Sequence, residues 1–376
     1  MQADVLDVLV IGAGIVGSAC AVTLQKQGHQ VCLIDAASPG CGVTAAGMGH
    51  LVALDESEQE LDLCLYSLKL WREFIEQNPG VGDYSACGTL WVAENEHQLA
   101  EAHHRAERLS KRGWNAAAVN PEQLRKLEPA LRSGLAGGVR VANDSVVYPP
   151  AVAHFLAQEL VQRGGQLRTG TKVHEVHSGY VVLANGEKLY ADKIIVAAGV
   201  TTSQLLPELH VFPRKGHLAI TDRYPGRLSH QVVSMDYGQA AMSEDALVVA
   251  ANIQARPTGQ WLIGSCRQDK QTHTALDPAA VSAVLNSAMR LLPCLAEMRV
   301  IRAWAGMRPA SPDGNPMIGE LTTRKGVWIA AGHEGLGVTT AFATANIIAD
   351  QMAGRACSID VQAYLPSRFS RTDQGA

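Results

Sequence analysis

Residues Asp7 to Asp35 read DVLVIGAGIVGSACAVTLQKQGHQVCLID, and the rest of the chain is arranged around them. Val8-Leu9-Val10-Ile11 is a short apolar run rich in β-branched residues, the pattern of a strand covered on both faces. Gly12-Ala13-Gly14-Ile15-Val16-Gly17 follows at once, and an apolar-periodic stretch to Gln27 predicts a helix stopped by Gly28. Val31-Cys32-Leu33-Ile34 predicts a second strand, closed by the acid Asp35. This is the layout of a dinucleotide-binding turn. Gly12 permits the tight turn off the strand, Gly14 lets a pyrophosphate approach the amides of the helix N-terminus, and Gly17 lets helix and strand pack closely. Ile15 and Val16 complete the candidate loop. Asp35 lies 35 − 12 = 23 residues after Gly12, where a carboxylate can accept hydrogen bonds from a ribose diol, and Ala36 follows it. A glycine-rich turn without a ligand would explain the glycines but not the flanking strand, helix, second strand and acid together. The loop alone does not separate NAD from FAD.

A chain of 376 residues has room for two domains, or for one large domain with an inserted part. Charged residues make up 18% and hydrophobic residues 47%, which describes an ordinary soluble enzyme and excludes a disordered or fibrous chain. Net charge is −4 with no basic run, so nucleic acid is not an expected partner. No basic segment and cleavage site precede the first strand, and no apolar run reaches about 18 residues, so neither a signal peptide nor a transmembrane segment is expected. The eight cysteines are scattered without a CxxC pair, the usage of a reduced, cytoplasmic protein with structural thiols and no metal site.

Beyond Asp35, small residues crowd Thr44-Ala45-Ala46-Gly47-Met48-Gly49-His50. They suit either backbone lying flat on a planar ligand or a flexible linker. Helical periodicity runs from Leu61 to Gln77, and a strand-like pattern follows from Tyr84 to Val92. Residues 95–111 predict a surface helix, Pro121 opens another, and 85–145 reads as an inserted segment. A helix from Pro150 to Arg163 leads to strands across 166–198, with turns at Ser178-Gly179 and Asn185-Gly186. The last of these strands ends in Ala197-Ala198-Gly199, a second close approach of backbone to a dinucleotide. Residues 211–300 form another β-rich excursion with a helix at 278–292. A buried strand at 326–332 then leads through His333-Glu334-Gly335-Leu336-Gly337 into a helix from Val338 to about Met352. The polar tail after Asp360 is expected to be loose.

With these pieces placed, the chain resembles the FAD-dependent D-amino-acid oxidase family, which includes glycine oxidase and sarcosine oxidase. The carrying residues are the glycine loop with Asp35, Thr44–Met48, Gly170-Thr171-Lys172-Val173 with Val196–Gly199, Gly306-Met307-Arg308-Pro309 with Asp313-Gly314-Asn315-Pro316, and Gly332–Gly337. Within the family, Thr44–His50, the Asn143-Asp144 to Pro150 stretch and Gly332–Thr340 look most like the FAD-carrying, beta-type subunits of D-hydroxyproline dehydrogenases and opine oxidases. The resemblance implies an α/β fold: a Rossmann-like FAD-binding domain (1–84, 146–210 and 301–376) interleaved with a β-sheet, α+β substrate-binding domain (85–145 and 211–300). It implies FAD as cofactor, with Val173 presenting backbone to the adenine and Ala198 and Gly199 beside the dinucleotide. Thr44, Ala45, Ala46, Gly47 and Met48 would line the isoalloxazine ring. Gly335, Leu336, Gly337 and Val338 would offer amides to its pyrimidine edge, where helix-terminal N–H groups stabilise negative charge. Gly306 stands where sarcosine oxidase attaches its flavin to cysteine, and Thr44 where dimethylglycine dehydrogenase uses histidine, so the FAD is expected to be noncovalent.

Arg308 is the expected substrate anchor: it is read in a Gly306-Met307-Arg308-Pro309 turn between apolar strands, an odd place for a charge unless a carboxylate meets it, and a guanidinium pairs bidentately with a carboxylate. An internal salt bridge is the competing explanation. Asn252 aligns with a tyrosine that supports this carboxylate in glycine oxidase, leaving Tyr237, His50 or His217 as candidate compensation. Met48, His50 and His333 are further pocket candidates. The reaction implied is oxidation of the Cα–N bond of a small D-amino or cyclic imino acid, with D-hydroxyproline or a related D-proline the best guess. Hydride would pass to flavin N5, giving an imine, and electrons would go to a partner or quinone-type acceptor. Other dehydrogenase subunits or a homo-oligomer are the implied partners, in the cytoplasm or at the inner membrane through an electron-transfer partner. The rivals are a self-sufficient glycine- or sarcosine-type oxidase that makes peroxide, and a noncatalytic FAD-binding scaffold subunit.

Overall fold

Strand Leu6–Ile11 sits at the heart of the first of two large sheets, and its side chains alternate between two cores: Val8 and Val10 join one, Leu9 and Ile11 the other. The computed structural model describes residues 6–236, 247–269 and 271–369. Parallel neighbours flank the strand on both sides, Val31–Ile34 and Lys188–Val196, and the order runs on to Val327–Ala331 and Met317–Glu320 at one side and Gln166–Arg168 at the other. Helix Ile15–Lys26 packs against Gly337–Met352 and Pro149–Gln162 over one face. These are the strand–helix–strand unit and the two glycine-terminated strands read from the sequence.

The second sheet runs in the order Val300–Ala310, Phe212–Arg223, Gln260–Arg267, Val248–Ala255, Gln231–Ser234, Thr89–Ala93, Gly137–Val141, Ala116–Val119. Thr89–Ala93 is buried throughout because Leu90 and Val92 face a core under helix Pro278–Leu291, while Trp91 and Ala93 face the core shared with the first sheet. The segment read as inserted, 85–145, therefore supplies three of these strands. The fold is mixed α/β with a Rossmann-like sheet and an interleaved second sheet.

Three expectations need correction. The boundary at residue 301 cuts a single strand, Val300–Ala310, which pairs along its length with Phe212–Arg223, so those residues belong with the second sheet. Gly306–Pro309 is part of that strand and not a turn. The chain after Asp360 is held down as far as it is described: Tyr364 is buried with its hydroxyl donating to Gln59 O at 2.5 Å, and Arg368 pairs with Asp313 at 2.7 Å. Tyr237 lies outside the described residues.

Candidate active site

One cavity of about 630 Å³ runs from the glycine loop to Arg308. Its first end lies where parallel strands of the first sheet finish, and Ile11, Asp35, Ala197 and Ala331 all face it, the usual location for a ligand on a parallel α/β sheet. Gly12 has φ +105°, and a Cβ there would lie 2.4 Å from Ala197 O. Gly17 does not reach the cavity; a Cβ on it would strike Gly12 O at 1.9 Å, so its work is to let helix meet strand. Asp35 receives Ala13 N at 2.6 Å on one oxygen and Ala37 N at 2.7 Å on the other, which fixes the carboxylate at the cavity wall. Ile15, Val16, Ala36, Val173, Ala198 and Gly199 line the same end.

The small-residue segment is neither linker nor extended. Val43–Ala46 is a short helix with Thr44 buried, its hydroxyl accepting from Ile15 N at 3.1 Å. Trp304 Nε1 donates to Ala46 O at 3.2 Å, and Gly306 lies so close that a Cβ would come within 2.7 Å of Ala46 Cβ. The segment is thus clamped between the glycine-loop helix and the second sheet. Gly14, Thr44, Ala46, Gly47, Met48 and Gly306 line the cavity, whereas Ala45 turns to solvent.

At the helix Gly337–Met352 the expected set of amides narrows. Gly335 N is taken by Glu334 Oε2 at 2.6 Å and Leu336 N by His333 O at 2.9 Å. The Leu336 side chain packs with Val52, Leu54 and Cys64 and does not reach the cavity. Gly337 and Val338, the first two helical residues, keep the N–H groups that a helix N-terminus leaves without an internal acceptor, and both line the cavity, as does Gly335.

Arg308 closes the other end. Its Nη1 donates to Cys266 O at 3.0 Å, and among the described residues no carboxylate lies within ion-pair distance of it, which argues against an internal salt bridge to any of them. Glu334 feels the Arg308 charge most strongly but forms its ion pairs with Arg214 at 3.7 Å and Arg267 at 3.6 Å. Burial pushes the Glu334 carboxyl pKa up, but the guanidiniums of Arg308, Arg267 and Arg214 outweigh it and leave the group ionised, with its pKa below the ordinary value.

His50, Asn252 and His333 all line the cavity. Among the described residues, His50 Nε2 and Asn252 Oδ1 are buried without a hydrogen-bond partner. His333 Nε2 bonds Thr344 Oγ1 at 3.0 Å. Burial pushes the pKa of both histidines down to about 4, so both are neutral at ordinary pH. His217 is not at the site: its Nε2 accepts from Asp277 N at 3.1 Å and its Nδ1 meets Cys266 Sγ at 3.4 Å, structural contacts that leave nothing to support a carboxylate. Sequence reading missed Gly216, Ser265 and Glu334 as cavity residues. Glu334 stands inside a motif already singled out, and its neighbourhood of three arginines comes only from folding.

The glycine cradle, the fixed Asp35 carboxylate, the two free helix-terminal amides and a cavity long enough to join them to Arg308 fit an FAD. Comparison with known proteins agrees. The model of a family described as FAD dependent oxidoreductase matches residues 7–351. The hydrogen cyanide synthase subunit HcnC of Pseudomonas aeruginosa is 25% identical over 96% of this chain and 96% of its own length. Glycine oxidase of Geobacillus kaustophilus is 25% identical over 96% of this chain and 97% of its own. The crystal structure of L-proline dehydrogenase from P. horikoshii superposes with a TM-score of 0.88 at 21% identity, covering 98% of each chain, which shows the same fold. Among the described residues there is no metal-binding cluster and no helix long and apolar enough to cross a membrane.

Proposed function

Since the chain belongs to the family of FAD-dependent oxidoreductases, we propose that it oxidises the Cα–N bond of a small D-amino or cyclic imino acid, D-hydroxyproline or a related D-proline being the best candidate. The observation that carries the proposal is Arg308: a guanidinium with no carboxylate of its own among the described residues, in the same cavity as the dinucleotide cradle. Bound FAD supplies the hydride acceptor. The chain's own residues orient and enclose. Arg308 would take the substrate carboxylate, Cys266 O holding one arm of its fork. Met48 and Leu218, which pack with Leu262, Ile220 and Trp304 in an apolar cluster, line the same cavity, and that lining would exclude water and strengthen the ion pair. With the carboxylate fixed, the Cα–H is held at one distance from the flavin-binding wall, and positioning does most of the catalytic work.

The D-proline preference rests on the short strings at 44–50, 143–150 and 332–340. The HcnC relative is named as a subunit, which favours electron transfer to a partner protein over direct release to oxygen. The glycine oxidase relative favours the alternative, a self-sufficient oxidase. We place the protein in the cytoplasm with noncovalent FAD, since Gly306 and Thr44 offer no side chain suited to a covalent flavin bond. The test is Arg308→Ala in the FAD-loaded enzyme: half-saturation for flavin reduction by D-proline and 4-hydroxy-D-proline should rise about 100-fold, the worth of a lost charge-assisted pair. FAD content should stay unchanged. An unaltered substrate dependence would remove Arg308 from the site.

A further inference from the structure

The wall formed by His50 and Asn252 carries two buried polar atoms that nothing among the described residues satisfies. Buried polar atoms are normally paired, and one left open in a binding cavity points to a ligand group that completes it. Their hydrogen-bond character can be worked out from the residues behind them. Gln231 Nε2 lies 3.2 Å from Ser145 O, a backbone carbonyl that can only accept, and 3.2 Å from Thr89 Oγ1. The amide nitrogen of Gln231 is therefore directed at Ser145, and its Oε1 faces His50 Nδ1, which it contacts closely. An amide oxygen cannot donate, so the ring proton of neutral His50 must sit on Nδ1.

A competing donor does not change this. Gln254 Nε2 is 3.5 Å from the same Nδ1, at the limit of a hydrogen bond, while Gln254 Oε1 is occupied by Arg256 Nη1 at 3.3 Å. Gln231 and Gln254 stand outside the cavity, on the Nδ1 side of the ring, whereas His50 itself lines it. Nε2, the ring nitrogen left without a partner among the described residues, then carries the bare lone pair, and the residue it belongs to lines the cavity. Asn252 is two residues from Gln254 on strand Val248–Ala255, so both project from one face, and Asn252 Oδ1 adds a second acceptor to the same wall. Burial holds the His50 pKa down at about 4, aided by the Arg256 charge and opposed by the Gln231 bond, so the ring accepts a hydrogen bond without taking the proton.

We infer that Gln231 locks His50 with its proton on Nδ1, so that Nε2 faces the substrate as an acceptor and the site selects amino acids that direct an N–H or O–H donor at it. Gln231 is a positioning residue; His50 touches the substrate. The inference deepens the amino-acid reading above and rests on it. It gives the cavity two chemically distinct ends: a guanidinium for the carboxylate and a pair of acceptors for a donor.

The test uses the FAD-loaded enzyme and two near-isosteric probes, pyrrole-2-carboxylate, which has a ring N–H, and furan-2-carboxylate, which has a ring oxygen instead. Titrated by the change in flavin absorbance, the pyrrole should bind about tenfold or more tighter. The gap should collapse in His50→Phe and persist in part in His50→Gln, whose amide oxygen can accept. If the donor is a hydroxyl, the same pattern appears in kcat/KM for 4-hydroxy-D-proline against D-proline. Independently of any variant's folding, the ¹⁵N spectrum of histidine-labelled holoenzyme should show His50 Nε2 as an unprotonated ring nitrogen. A protonated Nε2, or the absence of both gaps while both carboxylates still bind, overturns the inference alone. If neither carboxylate binds and Arg308→Ala changes nothing, the amino-acid reading fails and this inference falls with it.

Discussion

Gly216 positions a charge by what it lacks. A Cβ at this position would lie 2.7 Å from Arg308 Nη2 and 2.9 Å from its Cζ, so the bare backbone gives the guanidinium room to lie over the strand. Across the ladder Gly216 faces Gly306, whose own missing Cβ makes room for Ala46. Two paired glycines thus separate two tasks, seating the Arg308 guanidinium and seating the segment around Ala46. Gly216→Ala should raise the substrate KM about tenfold or more by displacing Arg308, while the FAD content of the purified protein stays at the wild-type level; joint loss of both would mean the strand itself had failed. Asp35 belongs to the opposite end. Its carboxylate, held by Ala13 N and Ala37 N, is aimed before any ligand arrives. Asp35→Ala should weaken FAD binding about tenfold or more, measured by fluorescence titration of the apoprotein, with little change in substrate preference once the protein is saturated. Unchanged FAD affinity would take the ribose role away from Asp35.

Secondary-structure elements show where sequence patterns inform and where they mislead. The glycine-loop unit was legible because its glycines and acid are local and each has one conformational reason. Arg308 was legible as a residue but not as part of a strand. Glycine and proline are rare in strands, and Gly306 and Pro309 disguise Val300–Ala310 as a turn. The strand tolerates them because it is at the edge of its sheet, where a proline's missing N–H breaks no ladder on the open side. His50 and Gln231 illustrate the opposite limit: they are 181 residues apart, and no periodicity relates them. Asp144 provides a test at this scale. It joins three segments, its Oδ1 accepting from Ala53 N at 3.1 Å and its carbonyl from Gly88 N at 3.0 Å. Burial raises its carboxyl from the ordinary 3.8 to about 7. The folded protein then keeps a proton that the unfolded chain releases between about pH 4 and 7, so this group lowers stability as pH rises through that window. His50 and His333, depressed to about 4, act with the opposite sign over about pH 4 to 6.5, since there the unfolded chain binds the extra protons. Asp144→Asn should therefore gain stability relative to the parent as pH rises from 4 to 7, followed by urea unfolding at each pH. Parallel curves for the two proteins would contradict a protonated Asp144.

In the whole molecule, the cavity exists because two sheets share one core and both supply residues to its walls. The first ends its parallel strands at the dinucleotide cradle, and the second brings Gly216, Leu218, Asn252, Ser265 and Arg308 to the far side. The first sheet could be read from sequence because its strands are apolar runs closed by glycine or acid. The second could be read only as β-rich, because its order, with Thr89–Ala93 parallel to Gln231–Ser234, joins segments separated by more than a hundred residues. Assigning FAD binding to the first sheet and substrate binding to the second remains part of the proposal, and it predicts that reduction of the cofactor depends on groups from both. Anaerobic mixing of the purified, FAD-loaded protein with a panel of small D-amino and imino acids tests this. The account predicts that D-proline or 4-hydroxy-D-proline abolishes the oxidised-flavin absorption band. A yellow protein that stays yellow with every amino and imino acid offered would contradict it.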